Sequence, residues 1–183
     1  EPVWTLPRFI LYSPIDPEKL PVPKPVGTDK TYTFCHVSKS VESKWNSDLP
    51  KLCKFFLDRN PEDVRFIFMG IRDNLAKEMK DYPNVTCYKE NAKPVGEVFG
   101  TSDTMLFFVS YSREEAWSRS VAESMTCGLN VVASERGGTK DSVIDKNCGF
   151  LCKDYNSYIS ACLKLIENRP LATSMGRNSA IYS

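Results

Sequence analysis

Charged and small polar side chains are concentrated in two loops of this sequence, each directly after an apolar run of strand length. The first loop contains Ser38, Lys39 and Lys44. Two ammonium groups near a strand end suit a diphosphate, although solvated surface lysines would give the same pattern. The second loop carries Glu115, and Glu123 follows about two helical turns later. Carboxylates beside a phosphate site bind sugar hydroxyls well, because a diol offers two donors and a carboxylate two acceptors.

A helix is predicted after the second loop, beginning near Trp117 or Ser118 and ending at Gly128, a typical C′ glycine. The unpaired amides at such a helix start, together with the helix dipole, favour phosphate binding. Two interpretations of Glu123 remain equally supported. It binds a ligand, or it closes a capping box with Ser120 at the helix start.

Other common sites are poorly matched by the sequence. No G-x-G-x-x-G follows the first strand, and no G-x-x-x-x-G-K-[ST] occurs. The seven cysteines lie mostly in apolar segments, which is typical of reduced, core-filling thiols in a cytoplasmic protein. Cys148, Cys152 and the single histidine, His36, fit a zinc site poorly, so we predict no metal site. His36 is interpreted as a core or strand-end histidine with satisfied hydrogen bonds.

Six short apolar runs alternate with segments of helical period, which predicts repeated βα units. Most runs are continuously apolar, as strands buried on both faces of a parallel sheet are. The sequence therefore predicts an α/β fold, a Rossmann-like doubly wound parallel sheet of about six strands with helices on both faces. Ser47 and Pro50 mark the start of the first helix. The predicted strands are 32–37, 64–69, 84–88, 105–110, 130–134 and 149–152.

The composition is that of one ordinary globular domain. The 183 residues carry a net charge of +1, which excludes broad binding of nucleic acid, and no apolar run is long enough for a membrane span. Prolines are dense in residues 1–30, which we predict to be an arm and interdomain connection preceding one domain at 31–183. Because the sequence begins with Glu1, we expect a fragment of a longer protein.

Residues 115–134, followed by Gly137 and Gly138, resemble the donor-site signature of retaining family 4 nucleotide-sugar glycosyltransferases. That signature is a Glu, seven residues, a second Glu, an Ala-Met-Ala-Cys-Gly-Leu-Pro-Val-Val-Ala-type strand and a Gly-Gly pair. The resemblance extends from about residue 9 to the end of the chain. It implies the GT-B arrangement of two Rossmann-like domains facing a cleft, with this chain as the C-terminal, donor-binding domain and the acceptor-binding half absent.

The resemblance also implies roles for particular residues. In the family, a Gly-Arg pair and a single Lys hold the diphosphate. Ser38 and Lys39 occupy the positions of the pair, and Lys44 occupies the position of the single Lys. Glu115 corresponds to the acid near the transferred sugar and Glu123 to the acid on the ribose. The backbone amides of three residues would meet the sugar or the phosphates: Ala116, Trp117 and Ser118.

The sequence departs from the family at several of these positions. Lys39 keeps the charge of the usual arginine but loses the bidentate hydrogen bonding of a guanidinium group. Ala116 and Ser118 replace glycines and narrow the space beside the phosphate, and Asn130 replaces a proline. We therefore expect a different sugar preference or weaker binding.

The resulting hypothesis is the nucleotide-sugar-binding domain of a retaining glycosyltransferase that transfers a hexose from a nucleoside diphosphate sugar to an unknown hydroxyl acceptor. Glu115 and Lys44 are the expected catalytic residues. No cofactor or metal is required, since fixed cations neutralise the leaving group. An acceptor glycan would bind through the absent N-terminal domain, and the fragment should bind the donor but barely turn over. The alternatives are a degenerate, non-catalytic binding module and half of a nucleotide-sugar epimerase or phosphorylase.

Overall fold

A computed structural model describes residues 15, 16, 18, 20, 21, 26–59 and 62–183. Most of the predicted Pro-rich arm at 1–30 therefore lies outside the described residues. Within the described part of the chain, no helix combines the length and the apolar character that crossing a membrane demands.

The core of the fold is one parallel sheet of six strands, namely β1 (Tyr32–Val37), β2 (Val64–Met69), β3 (Val85–Tyr88), β4 (Thr104–Phe107), β5 (Asn130–Ser134) and β6 (Gly149–Cys152). Their order in the sheet is β3-β2-β1-β4-β5-β6. This order is that of a doubly wound Rossmann-like sheet, and it confirms the predicted fold class. Strands β2 and β3 are added on one side of β1 and the last three strands on the other, so the switch point of the sheet lies between β1 and β4. Ligands of such folds bind beyond the carboxyl ends of the strands at the switch point.

Helices cover both faces of the sheet. They are α1 (Leu49–Leu57), α2 (Asp73–Glu78), α3 (Val95–Gly100), α4 (Arg119–Thr126), α5 (Thr139–Ser142), α6 (Tyr155–Glu167) and α7 (Arg169–Tyr182). Phe34 and Phe66 belong to the core on one face, which is closed by α1, α2, α6 and α7. Met105 and Val131 belong to the core on the other face, which is closed by α3, α4 and the segment after α5 that carries Val143 and Cys148.

Four of the six strands have the predicted bounds, and β3 begins one residue later than predicted. The prediction of a strand over 105–110 was wrong at its end, because β4 stops at Phe107. The next residues are buried but bond to the loop after β1. The carbonyl of Phe108 accepts from the Asn46 amide at 3.1 Å, and the carbonyl of Val109 accepts from the Asn46 side chain at 2.9 Å.

The predicted cap of the first helix was also wrong. Asp48, not Ser47, is the N-cap of α1, and it makes no side-chain capping bond. The Asn46 carboxamide oxygen accepts instead from the Asp48 amide at 2.9 Å. Asn46 thus organises both the helix start and the end of β4, while Pro50 lies in the first turn as predicted.

Asn130, at the position where the resembled signature has a proline, forms a buried hydrogen-bond network at the start of β5. Its side-chain oxygen accepts from the Thr104 hydroxyl at 2.6 Å. Its amide nitrogen donates to the Tyr32 hydroxyl at 3.3 Å and to the Ala172 carbonyl at 3.2 Å. The network links β1, β4, β5 and α7. Because its polar groups are buried, the loss of one partner would leave the others unpaired.

Candidate functional site

A cavity of about 400 Å³ opens where the loops after β1 and β4 meet the start of α4. Its volume is in the range of small-molecule sites. Ala116 does not line this cavity, and it is exposed. The other seven of the eight predicted site residues do line it: Ser38, Lys39, Lys44, Glu115, Trp117, Ser118 and Glu123.

Two side-chain hydrogen bonds hold the loop after β1, which carries Lys39 and Lys44. The indole N–H of Trp45 donates to the Lys39 carbonyl at 2.9 Å. The backbone amide of Ser40 donates to Glu90 Oε2 at 2.9 Å, which joins this loop to the one after β3. Lys44 is the last residue of a short 3₁₀ turn, Glu42–Lys44. The backbone of this loop is therefore held by one side chain of its own, Trp45, and by one from the loop after β3, Glu90.

His36 lies beneath this loop, fully buried and stacked on Trp45 with 4.2 Å between ring centroids. Among the described residues, neither of its ring nitrogens has a hydrogen-bond partner. The prediction of a histidine with satisfied hydrogen bonds was therefore wrong, although its place in the core is as predicted. Burial lowers the pKa of His36 to about 3, and the nearby charge of Lys44 acts in the same direction. The ring is neutral and shielded, so it is not a proton acceptor for a ligand.

Glu115 is held by two cations that come from different loops. Lys44 Nζ bonds to Glu115 Oε2. Arg113 contacts the same oxygen through Nε at 3.1 Å and Nη2 at 3.0 Å, and its Nη1 donates to the Ser43 hydroxyl at 3.1 Å. The Glu115 side chain is only 13% exposed, so these contacts are little screened by solvent. Arg113 was missed at the sequence level, because no local period links it to Glu115.

Glu123 lies within α4 and faces the same cavity. Arg119, four residues earlier, contacts Glu123 Oε1 through Nε at 3.3 Å. Burial raises the pKa of Glu123, and the charge of Arg119 partly opposes this. Arg119 was also missed, although the i,i+4 spacing of the pair was a signal that could have found it.

The capping-box interpretation of Glu123 was wrong. Ser118 is the N-cap of α4, so Ser120 lies inside the helix, and its hydroxyl bonds to the Ser118 hydroxyl at 3.3 Å. Ser118 makes no side-chain capping bond, and the start of the helix lines the cavity with Ser118, Arg119 and Ser120. The predicted C-terminal end is confirmed, since Cys127 is the C-cap and Gly128 follows with φ of 82°.

The Gly137-Gly138 pair allows the loop that carries Glu115 to lie directly against the turn after β5. The Gly138 amide donates to the Glu115 carbonyl at 2.6 Å. A Cβ atom at Gly138 would overlap the carbonyl oxygen of Ala116, and one at Gly137 would overlap that of Glu115. Only glycine permits this approach of two backbones. The pair therefore supports the site without lining the cavity.

The described residues hold no group of three or more His, Cys, Asp or Glu side chains arranged to bind a metal ion. All seven cysteines are free, and Cys87 is the one exposed to solvent.

This chain is similar to known proteins both in sequence and in fold. The chain is 34% identical over 89 residues to the trehalose synthase of Thermococcus litoralis, a match covering 49% of this chain and 21% of that protein. The crystal structure of Anabaena HepE in complex with UDP superposes with a TM-score of 0.70 at 19% identity, covering 83% of this chain and 43% of that one.

A second solved structure is of comparable length to this chain. The C-terminal domain of LpcC, a glycosyl transferase group 1 family protein of Francisella tularensis, superposes with a TM-score of 0.72 at 14% identity. That match covers 92% of this chain and 96% of the other. The family model described as Glycosyl transferases group 1 matches residues 24–181. The chain therefore belongs to the group 1 glycosyl transferases.

Proposed function

We propose that this chain is the donor-binding domain of a retaining family 4 glycosyltransferase, and that its cavity binds the nucleoside diphosphate part of a hexosyl donor. The observation that carries the proposal is the meeting of Lys39, Lys44, Glu115, Glu123 and the start of α4 around one cavity at the switch point of the sheet. Solved relatives support the ligand class, since Anabaena HepE has been crystallised with UDP and with UDP-glucose.

The proposed roles follow from charge and position. Negative charge develops on the diphosphate as the bond to the sugar breaks, and Lys39, Lys44 and the dipole of α4 stabilise it. No metal ion is needed in this scheme, because the two ammonium groups supply the positive charge. Glu123 would accept hydrogen bonds from the ribose hydroxyls. Glu115 would orient the transferred sugar, which is a positioning task rather than proton transfer.

The acceptor is proposed to bind to another part of the full-length protein. The matched segment makes up 21% of the trehalose synthase and 43% of the HepE chain, so those proteins contain much that this chain does not. We propose a domain at 31–183 that receives its acceptor, a glycan or another hydroxyl compound, from an N-terminal domain connected through residues 1–30. The proposed location is the cytoplasm, where thiols such as these are kept reduced.

Calorimetric titration of the folded chain with UDP, GDP, ADP and TDP tests the proposal. One nucleotide should bind saturably, and Lys44→Ala or Glu123→Ala should weaken it roughly tenfold or more, because each removes a charge-assisted hydrogen bond. Lys80→Ala is the matched control, since Lys80 is exposed and does not line the cavity. It should change the affinity less than about twofold, as expected for a remote surface charge.

Three results would contradict the proposal in different ways. No binding of any of the four nucleotides to a folded chain would indicate a degenerate module. Equal losses with Lys80→Ala and Lys44→Ala would indicate non-specific charge attraction. Conversion of a nucleotide sugar by the full-length protein in the absence of an acceptor would indicate an epimerase.

A further inference from the structure

Lys44 has two competing anionic partners if the proposed function holds. The diphosphate would need its ammonium group, but in this structure that group bonds to Glu115. Both side chains are largely buried, with 18% of Lys44 and 13% of Glu115 exposed. Taking the lysine away from a carboxylate in such surroundings is costly, because little water is there to solvate the remaining charge.

Arg113 is placed to remove that cost. Its guanidinium contacts Glu115 Oε2 through two nitrogens, at 3.1 and 3.0 Å, while its third nitrogen donates to Ser43 beside Lys44. Arg113 is not among the residues that line the cavity, so a ligand there would leave its contacts in place. Its charge is permanent, because the guanidinium does not lose its proton in proteins.

We propose that Arg113 is a positioning residue that keeps Glu115 neutralised and in place while Lys44 transfers from Glu115 to the diphosphate of the donor. Lys44 is then an exchangeable partner of Glu115, and Arg113 the permanent one. This inference rests on the proposed function, because it requires a diphosphate in the cavity. It assigns to Arg113 no contact with the donor.

The test is a double-mutant cycle on nucleotide affinity, measured by calorimetry with UDP, or with whichever of the four diphosphates binds. Arg113→Ala should weaken binding about fivefold or more, since Lys44 then becomes the sole cation on a buried carboxylate. Glu115→Gln should bind UDP at least as tightly as the wild type, because Lys44 is released and UDP has no sugar for Glu115 to orient. In the Glu115→Gln background, Arg113→Ala should change the affinity less than about twofold.

The rescue by Glu115→Gln separates this role from a merely structural one. If Arg113 only tied the two loops together through Ser43, its removal would weaken UDP equally in both backgrounds, and Ser43→Ala would have the same effect. That result, or an unchanged affinity of Arg113→Ala in the wild-type background, would overturn the inference. Arg113→Gln replaces Arg113→Ala if the alanine variant does not fold.

Failure of the inference is distinguishable from failure of the proposed function. A folded wild-type chain that binds none of the four nucleotides refutes the function, and the inference with it. A chain that binds UDP through Lys44 and shows no coupling between Arg113 and Glu115 refutes the inference alone.

Discussion

Replacing His36 with phenylalanine should remove most of the change in stability of this chain between about pH 7.5 and pH 5.5. His36 is the single histidine, so no other side chain has an ordinary pKa in this interval. In the native state burial lowers the pKa of His36 to about 3, so the ring stays neutral throughout. In the unfolded chain its pKa returns to about 6.5 and the ring takes up a proton.

The sign of the effect follows from which state binds the proton. The unfolded state binds more protons than the native state as the pH falls below about 6.5, so stability is lost in that direction, down to the native pKa. Between about pH 7.5 and pH 5.5 the free energy of unfolding should fall by about 1.4 kcal/mol. This value depends little on the native pKa, because the native ring is already uncharged at both pH values.

Urea unfolding of the wild type and of His36→Phe at the two pH values measures the effect. With an m value of about 2 kcal/mol/M, the wild-type midpoint should fall by about 0.7 M on acidification, and the difference between the two proteins isolates His36. Phenylalanine keeps a flat ring against Trp45, and His36→Leu serves if the larger ring strains the core. An equal loss of stability in the variant would refute the reasoning, because it would place the proton uptake elsewhere.

Three further outcomes are expected. The affinity for the bound nucleotide should decrease on acidification at a pH above the usual glutamate range, because burial raises the pKa of Glu123 and hydroxyl binding needs the ionised carboxylate. Calorimetry at several pH values should show this loss of affinity in the wild type and not in Glu123→Gln. Gly138→Ala should lower the unfolding free energy by about 2 kcal/mol and weaken nucleotide binding, because its Cβ would overlap the Ala116 carbonyl. Gly100→Ala is the control and should do neither, because its Cβ would lie 3.7 Å from its nearest neighbour. Equal effects of the two variants in urea unfolding and in calorimetry would contradict the prediction. Asn130→Ala should cost about 2 to 4 kcal/mol in urea unfolding, because it leaves buried partners unpaired, and a cost below about 1 kcal/mol would show that the network contributes little.

Much of the sheet was predictable from the sequence because burial on both faces leaves a local signature. Continuous apolar runs bounded by polar residues predicted four strands with their observed bounds. The predicted strand over 105–110 was wrong at residues 108–110. Phe108 and Val109 are as apolar and buried as strand residues, yet their carbonyls accept hydrogen bonds from Asn46. Hydrophobic pattern reports burial, and it does not report which backbone partner a buried residue has.

The parallel sheet, the spacing of the two glutamates and the glycine pair could all be read from the amino-acid sequence, because they depend on residue type and local period. Which charged side chains contact one another depends on the folded arrangement of the strands and loops. Lys44 lies 71 residues before Glu115, and the two come together because β1 and β4 are neighbours in the sheet. Arg113, two residues from Glu115, could have faced solvent, and His36 could have found hydrogen-bond partners. The outcome depends on long-range packing, since side-chain electrostatics is set by distances in space, which local sequence periodicity does not carry.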